Sequence, residues 1–229
     1  MTEKLIKETG IVVPGEILAT GMGFVPTGGC FRENENVIAS QLGLMSVSGR
    51  MIKVIPLSGT YVPKKDDVVI GIIAEVSYSN WFVNIGYANE AVLSMKDASS
   101  DFIERGAELS DYFGLKDMIL TKVTNVTKSK AVDLSMKGPG LRKLVGGRLV
   151  QVTPVKVPRV VGKKGSMINM IKDATECIIT VGQNGRIWIA GKDPVKEKLA
   201  ADAIMLIEEK AHVPGLTEMV KKFLQEEKK

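Results

Sequence analysis

The 229-residue sequence has few of the residues that build metal centres and disulfide scaffolds. It contains one histidine and two cysteines, Cys30 and Cys177, which stand far apart with no Cys-x-x-Cys pair. This scarcity disfavours both a zinc cluster and a disulfide framework, and it fits a reducing, intracellular setting. The amino terminus has no signal-peptide core, and no segment approaches the roughly 20 apolar residues that span a bilayer. We therefore expect a cytoplasmic protein without a membrane partner.

Groups for catalysis are equally scarce. The single histidine, His212, is predicted to be a surface residue near a helix end. The Asp66-Asp67 pair is predicted to form a turn, and the acidic segment 97–111 has no regular metal-binding spacing. A nuclease would need clustered carboxylates for metal ions or a histidine-based acid–base pair. We therefore expect no enzyme active site, no metal and no cofactor.

The composition favours small β-rich modules over one large core. Aromatic residues make up 5% of the chain, there are 23 glycines, and 45% of the residues are hydrophobic, which is enough to build real cores. The net charge is +5, but it is concentrated. Residues 137–192 carry eleven basic and two acidic residues, a surplus of nine positive charges. Such a concentration inside a foldable segment is typical of a nucleic-acid-binding surface, although a solvated basic face would look the same.

Residues 1–62 are predicted to form a β-sandwich. Short apolar segments alternate with glycine turns, and the segments 37–45 and 51–57 read as strands of a hairpin through Ser48-Gly49-Arg50. A lipoyl-type carrier is excluded, because that chemistry needs a lysine at the hairpin tip.

Residues 63–137 are predicted to form a five-stranded OB-type barrel. Strands are expected at 68–76, 81–85, 91–93, 118–126 and 131–136, with an acidic, partly helical insertion between the third and fourth. Alternation places Trp81, Val83 and Ile85 on one face and Phe82 on the other. An outward Phe82 would provide a stacking platform for a base, although simple packing is an equal alternative. Further candidate RNA contacts on this domain are Tyr78, Lys122, Lys128 and Lys130.

Residues 147–212 have the order β-α-α-β-β-α of a type I KH domain. Strands are expected at 150–157, 177–181 and 186–190. Asp193 is predicted to cap the last helix, with Pro194 at its first position. A short basic link, 137–147, precedes this domain, and a charged helical tail, 213–229, follows it.

The most informative segment is the GKKG loop, Gly162-Lys163-Lys164-Gly165. Two glycines three positions apart allow backbone to approach a phosphate chain, and the helix that begins after them favours negative charge. Lys163 and Lys164 add electrostatic attraction. KH domains use such a loop to clamp about four nucleotides of single-stranded RNA. The predicted contacts are Arg159, the four loop residues and Ser166.

A second feature is predicted to join the two RNA-binding domains. In strand 186–190 the isoleucines should face the KH helices, which leaves Trp188 on the uncovered face of the sheet. A large exposed aromatic usually marks an interface, so we predict that Trp188 contacts the OB domain. The preceding GQNG turn, with Gly182, Asn184 and Gly185, should lie at the same junction. The alternative is that Trp188 belongs to the KH core.

Taken together, these segments resemble the RNA-binding cap subunit of the archaeal-type exosome, which has N-terminal, S-one-type OB and KH domains. The most specific matches are the segment 156–171 with its GKKG loop and the segment 181–188 with its GQNG turn. Val12-Val13-Pro14-Gly15 and the segment 54–59 match as well. One departure is the third OB strand, where Val92-Leu93-Ser94 stands in place of a histidine that many S-one-type domains use to contact RNA.

The resemblance implies an accessory role. Three copies would sit on a hexameric ring of phosphorolytic exoribonuclease subunits, with the N-terminal domains holding the ring and the OB domains lining the RNA entry pore. The chain would then be a non-catalytic subunit that feeds RNA to the ring for degradation and processing. Two alternatives stay open: an OB/KH transcription or translation factor, and a self-sufficient ribonuclease.

Overall fold

A computed structural model describes residues 4–5, 10–99, 103–104, 106–211, 213 and 215–226, and the chain divides into two units, Met1–Gly59 and Thr60–Lys229. The predicted fold class is confirmed: the chain is mainly β, with an N-terminal β domain, a closed five-stranded barrel and a KH domain. Within the described residues, no helix is both long and apolar enough to cross a membrane.

The first unit consists of two four-stranded sheets around a shared core. Its strands are β1 (Lys4–Leu5), β2 (Gly10–Val12), β3 (Ile17–Thr20), β4 (Val25–Pro26), β5 (Cys30–Glu33), β6 (Asn36–Ala39), β7 (Gly43–Ser48) and β8 (Met51–Pro56). One sheet has the order β1-β3-β6-β5 and the other β2-β7-β8-β4. Leu18 and Val37 from the first sheet meet Met45 and Ile52 from the second. The prediction of one strand over 37–45 is wrong, because the chain crosses from one sheet to the other between β6 and β7.

The second unit begins with the barrel. Its strands are β9 (Val68–Val76), β10 (Asn80–Asn84), β11 (Ala91–Ser94), β12 (Met118–Val126) and β13 (Val132–Ser135). The order β13-β11-β10-β9-β12 is closed by pairing of β12 with β13. Trp81, Val83 and Ile85 are fully buried inside, which confirms the predicted alternation. A four-residue helix, α1 (Met95–Ala98), and a 3-10 turn at Leu109–Asp111 lie between β11 and β12.

The segment between the barrel and the KH domain is more than a link. Within it, β14 (Arg142–Leu144) pairs with β12 and extends the barrel sheet by one strand. Leu144 is buried by this pairing, whereas the two residues before it are exposed. The prediction of a plain basic link over 137–147 is therefore wrong, because the strand fixes the path of the chain into the KH domain.

The KH domain packs its helices on one face of a three-stranded sheet. Its elements are β15 (Arg148–Gln151), α2 (Val157–Val161), α3 (Ser166–Thr175), β16 (Ile178–Val181), β17 (Arg186–Ala190) and α4 (Pro194–Glu209), and the sheet order is β15-β17-β16. The first strand is shorter than predicted, because a 3-10 turn begins at Pro154. The Asp193 carboxylate accepts a hydrogen bond from the Val195 amide at 2.9 Å, so the predicted helix cap is confirmed.

The carboxy-terminal helix, α5 (Leu216–Glu226), belongs to the KH core. Leu216, Val220 and Leu224 recur every four residues, so they share one face of the helix, and all three are buried. They join the cluster that contains Ile171 and Ile204 from α3 and α4. The helix predicted in the tail 213–229 is present over Leu216–Glu226, and these three apolar side chains dock it on the domain.

Candidate nucleic-acid interface

The backbone of the GKKG loop has a conformation that requires glycine at both of its ends. Gly162, Lys164 and Gly165 have φ values of 75°, 53° and 80°, in the region that favours glycine. A Cβ atom on Gly162 would lie 2.8 Å from both the backbone nitrogen and the Cβ of Met167. At Gly165 the nearest atom to such a Cβ is the Asn169 Nδ2, 3.6 Å away. Gly162 is therefore required by space as well as by φ, and Gly165 by φ alone.

Cationic side chains surround this backbone and face solvent. Lys163 and Lys164 are exposed at the loop tip, and Arg159 is exposed on α2 just before it. None of the three forms an ion pair with another residue that the structure describes. Ser166, also exposed, begins α3, and the positive end of the helix dipole adds to the field of the cations. The loop combines free positive charge with close backbone access, which suits a phosphate chain.

One basic residue of the segment 137–192 is not available to RNA. Arg186 is 8% exposed, and its guanidinium donates to the backbone oxygens of Ile70 and Asn84 at 3.2 and 2.5 Å and to the Asn84 Oδ1 at 2.5 Å. Burial lowers the pKa of this guanidinium from its ordinary value. The prediction that counted Arg186 among the basic residues of an RNA-binding surface is therefore wrong. Sequence reasoning missed its role, although alternation places Arg186 on the same strand face as Trp188.

The GQNG turn is bonded to the first barrel strand. The Asn184 side chain accepts from the Ile70 amide at 3.2 Å and donates to the Ile70 and Ile85 carbonyls at 2.9 and 2.8 Å. Gln183 makes two more bonds with Val68, one through its backbone amide at 2.8 Å and one through its side-chain oxygen at 2.6 Å. These bonds join the KH domain to the backbone of the barrel.

Close contacts leave no room for a side chain at either glycine of the GQNG turn. A Cβ atom on Gly182 would lie 2.4 Å from the Asn184 Oδ1 and 2.8 Å from the Ile70 nitrogen. On Gly185, which has a φ of 83°, it would lie 2.2 Å from the Val152 carbonyl oxygen. The turn therefore acts as a structural connection between the domains.

Trp188 packs at the same junction. It lies in a cluster with Ile70 and Leu120 from the barrel and Leu144 from β14, and it is 5% exposed. Its indole Nε1 donates to the Gly146 carbonyl at 2.8 Å. Ile187 and Ile189 point the other way, into the core under the KH helices. The barrel and the KH domain are thus held by an apolar centre with hydrogen bonds around it.

The outer face of the barrel carries the second candidate surface. Phe82 is partly exposed on β10, opposite Glu75 on β9 and Val92 on β11. Val92 in turn lies opposite Asp133 on β13. The carboxylates of Glu75 and Asp133, at the two ends of this row, would repel a phosphate. The row therefore favours stacking of a base over contact with the RNA backbone.

The lysines predicted on the barrel differ in availability. Lys122 lies 2.7 Å from the Asp66 carboxylate, which the neighbouring ammonium keeps at a pKa below its ordinary value. Lys128 and Lys130 are exposed in the hairpin between β12 and β13, and neither has an ion-pair partner in the described part of the chain. This hairpin adjoins Asp133, at the end of the row that contains Phe82. The two hairpin lysines are therefore better placed for RNA than Lys122.

The groups considered for catalysis have structural partners or lie outside the described residues. The Asp67 carboxylate accepts from the Tyr61 hydroxyl at 2.7 Å and from the Lys64 amide at 3.1 Å, and Asp66 pairs with Lys122. Burial and the neighbouring Asp67 raise the pKa of Tyr61. Within the described residues there is no group of three side chains that could hold a metal ion. His212 lies outside the described residues, as does part of the segment 97–111.

Comparison with known proteins gives matches along most of the chain. The model of the exosome RNA binding protein RRP4 N-terminal domain matches residues 10–58, and a KH domain model matches residues 147–195. The exosome complex component Rrp4 of Methanothermus fervidus is 43% identical over 220 residues, which cover 96% of each chain. That of Thermococcus kodakarensis is 41% identical over 227 residues, 98% of this chain and 88% of the relative.

A solved structure extends the similarity to three dimensions. A crystal structure assigned to an exosome complex RNA-binding protein is 38% identical in sequence and superposes with a TM-score of 0.69. The superposition covers 74% of this chain and 98% of the other.

Proposed function

The chain belongs to the family of the exosome complex component Rrp4, and from that premise we propose that it is a non-catalytic RNA-binding cap subunit of an exosome. It captures single-stranded RNA and feeds it to a phosphorolytic 3'-5' exoribonuclease ring. Three copies on a hexameric ring is the arrangement that the family resemblance suggests. The cytoplasm is the expected location.

The GKKG loop is the observation that carries this proposal. Lys163 and Lys164 are exposed above the start of α3. The glycine beside them, Gly162, occupies a position that admits no side chain. Because the contact is made to phosphates, we expect RNA capture to depend on salt and little on sequence. Such a grip suits a subunit that passes many different RNAs to one nuclease.

The barrel supplies a second contact at a fixed distance from the first. Arg186, Asn184 and Trp188 tie the KH sheet to the barrel, so a strand held by the loop meets Phe82 and the hairpin lysines in one orientation. Rigid spacing lowers the entropy cost of engaging both surfaces together.

The N-terminal unit has a face suited to docking on the ring. Ile11, Leu44 and Ile55 stand opposite one another on β2, β7 and β8. Val13, Leu42 and Leu57, each two residues from a member of this row and one residue beyond the end of its strand, form a second row. The residues of this double row are Ile11, Val13, Leu42, Leu44, Ile55 and Leu57, each between 41% and 60% exposed. An exposed apolar patch of this kind marks a protein interface, so we assign the double row to contact with a ring subunit.

Reconstitution tests the proposed function. Labelled RNA is incubated with phosphate and Mg²⁺ together with the chain alone, a phosphorolytic ring alone, or both. We expect the chain alone to bind RNA without shortening it, and the mixture to retain and degrade RNA more processively than the ring. Phosphate-dependent shortening by the chain alone would favour the alternative of a self-sufficient ribonuclease. RNA binding without any association with the ring would favour the translation or transcription factor.

A further inference from the structure

A groove between α3 and α5 runs beside the GKKG loop and has no part in the function proposed above. Its volume is about 460 Å³, within the range of small-ligand pockets. The helix α5 forms one wall, so the groove depends on the packing of this helix on the KH core. The lining residues are Ser166, Asn169, Met170, Asp173, Ala174, Lys221, Leu224 and Gln225.

The floor and the rim of the groove differ in chemistry. Met170, Ala174 and Leu224 give it an apolar floor, and a methionine thioether makes favourable contacts with aromatic rings. The amides of Asn169 and Gln225 stand on opposite walls, both exposed, and neither side chain is hydrogen-bonded to another described residue. Each offers a donor and an acceptor. A flat apolar floor between two free amides suits a planar heteroaromatic ring with polar edges.

The groove is continuous with the loop that grips phosphate. Ser166, which follows Gly165 directly, belongs to its lining. The Asn169 Nδ2 would lie 3.6 Å from a Cβ on Gly165, so this amide stands against the loop itself. Lys163 and Lys164 come just before Ser166 and are exposed, whereas the Asp173 side chain lines the groove one helical turn beyond Asn169, and Lys221 lines it from α5. The loop therefore carries two cations, whereas the groove is lined by one carboxylate and one ammonium, which favours phosphate at the loop and a neutral group in the groove.

We propose that this groove binds the nucleobase of a residue that flanks the nucleotides held by the GKKG loop, as an extra subsite of the same RNA strand. The inference rests on the proposed RNA-binding function. The flanking phosphate stays near Lys163 and Lys164, the base lies over Met170 and Leu224, and the amides of Asn169 and Gln225 bond its edges. The subsite lengthens the footprint beyond the roughly four nucleotides that a KH loop clamps.

Abasic scanning of a single-stranded 10-mer tests this proposal with the full chain. Each nucleotide in turn is replaced by an abasic residue, and the dissociation constant is measured for the native protein and for an Asn169→Ala/Gln225→Ala variant. The native protein is expected to lose about fivefold in affinity at a position adjoining the loop-bound nucleotides, the loss expected for one or two hydrogen bonds. In the variant this loss is smaller, because only the contact with Met170 and Leu224 remains, while the profile at the other positions is unchanged. Gln151→Ala, an exposed amide on β15, is the matched control and keeps the native profile.

The outcomes separate the subsite from the general function. An identical profile in the native protein and in the double variant overturns the subsite, even when RNA binding is strong. Loss of sensitivity at every position in the double variant also overturns it, because the two amides would then act on the whole strand. If the native chain binds no RNA, or Lys163→Glu/Lys164→Glu leaves binding unchanged, the proposed function itself fails. Unfolding midpoints of the variants are measured alongside, and they are expected to match the native value because both amides are exposed.

Discussion

At the scale of single residues, the two glycines of the GKKG loop have different requirements. Gly162→Ala places a Cβ 2.8 Å from the Met167 backbone and forces a conformation essentially restricted to glycine. We expect a loss of about 1–3 kcal/mol in the free energy of unfolding, together with weaker RNA binding. Gly165→Ala, where the nearest atom is 3.6 Å away, should cost about 1 kcal/mol. Urea unfolding measures both, and equal losses would contradict the space argument for Gly162.

Asn184 and its neighbour Gln183 form a second matched pair. Asn184→Ala removes three hydrogen bonds to Ile70 and Ile85 and leaves buried backbone groups unpaired, so we expect a loss of at least about 2 kcal/mol. Gln183→Ala removes one exposed side-chain bond, and its backbone bond to Val68 stays. It should cost about 1 kcal/mol or less. Urea titration measures the free energy of unfolding of both variants. A loss for Gln183→Ala as large as that for Asn184→Ala would contradict the central role of the Asn184 side chain in the junction.

The residues of this junction also show how much of the structure could be predicted from the sequence alone. Alternation in β17 indicates that Trp188 lies opposite the isoleucines, and glycines around an asparagine indicate a tight turn. The same alternation places Arg186 beside Trp188, but its charge suggested an RNA contact. The structure supplies what the sequence could not: backbone carbonyls of two barrel strands meet at one point and provide the acceptors that a buried guanidinium needs.

At the scale of secondary-structure elements, α5 is a helix whose place in the KH core depends on tertiary packing. Val220→Asp puts a carboxylate at a fully buried position of the KH core, so we expect a loss of about 3–5 kcal/mol in the free energy of unfolding. Thr217→Asp, on the exposed side of the same helix, should change it by less than about 0.5 kcal/mol. Thermal unfolding of the two variants makes the comparison, and equal midpoints would mean that α5 is a free tail in solution.

The apolar spacing of this helix was readable before the structure. Leu216, Val220 and Leu224 recur at four-residue intervals, which predicts one apolar stripe. The sequence analysis predicted a charged helical tail there and did not use this stripe. Strands were easier, since β9, β12 and β17 match the predicted bounds, and alternation gave the phase of β10 and β17. The strand β14 could not be predicted, because three residues carry no periodicity and their pairing with β12 depends on tertiary structure.

At the scale of the whole molecule, the proposal that the N-terminal unit docks on the ring predicts a contact through its apolar double row. Leu44→Glu puts a charge at the centre of the row formed with Ile11 and Ile55, so we expect loss of co-elution with the ring and unchanged RNA affinity. Leu115→Glu, at a leucine of the second unit that is 64% exposed compared with 44% for Leu44, should leave co-elution intact. Size-exclusion chromatography of each variant mixed with the ring measures this co-elution. Normal co-elution of the Leu44 variant would move the docking surface to another face.

RNA affinity across a series of salt concentrations, measured for the native chain and for Lys163→Glu/Lys164→Glu, tests whether the GKKG loop holds the RNA. Each phosphate contact to a single strand contributes about 0.7 to the slope of log affinity against log salt concentration. If the two exposed lysines grip the backbone, the variant binds more weakly at low salt for every RNA sequence, and its slope is flatter by about 1.4. An unchanged slope with unchanged affinity at low salt would contradict the account, because the GKKG loop would then not hold the RNA.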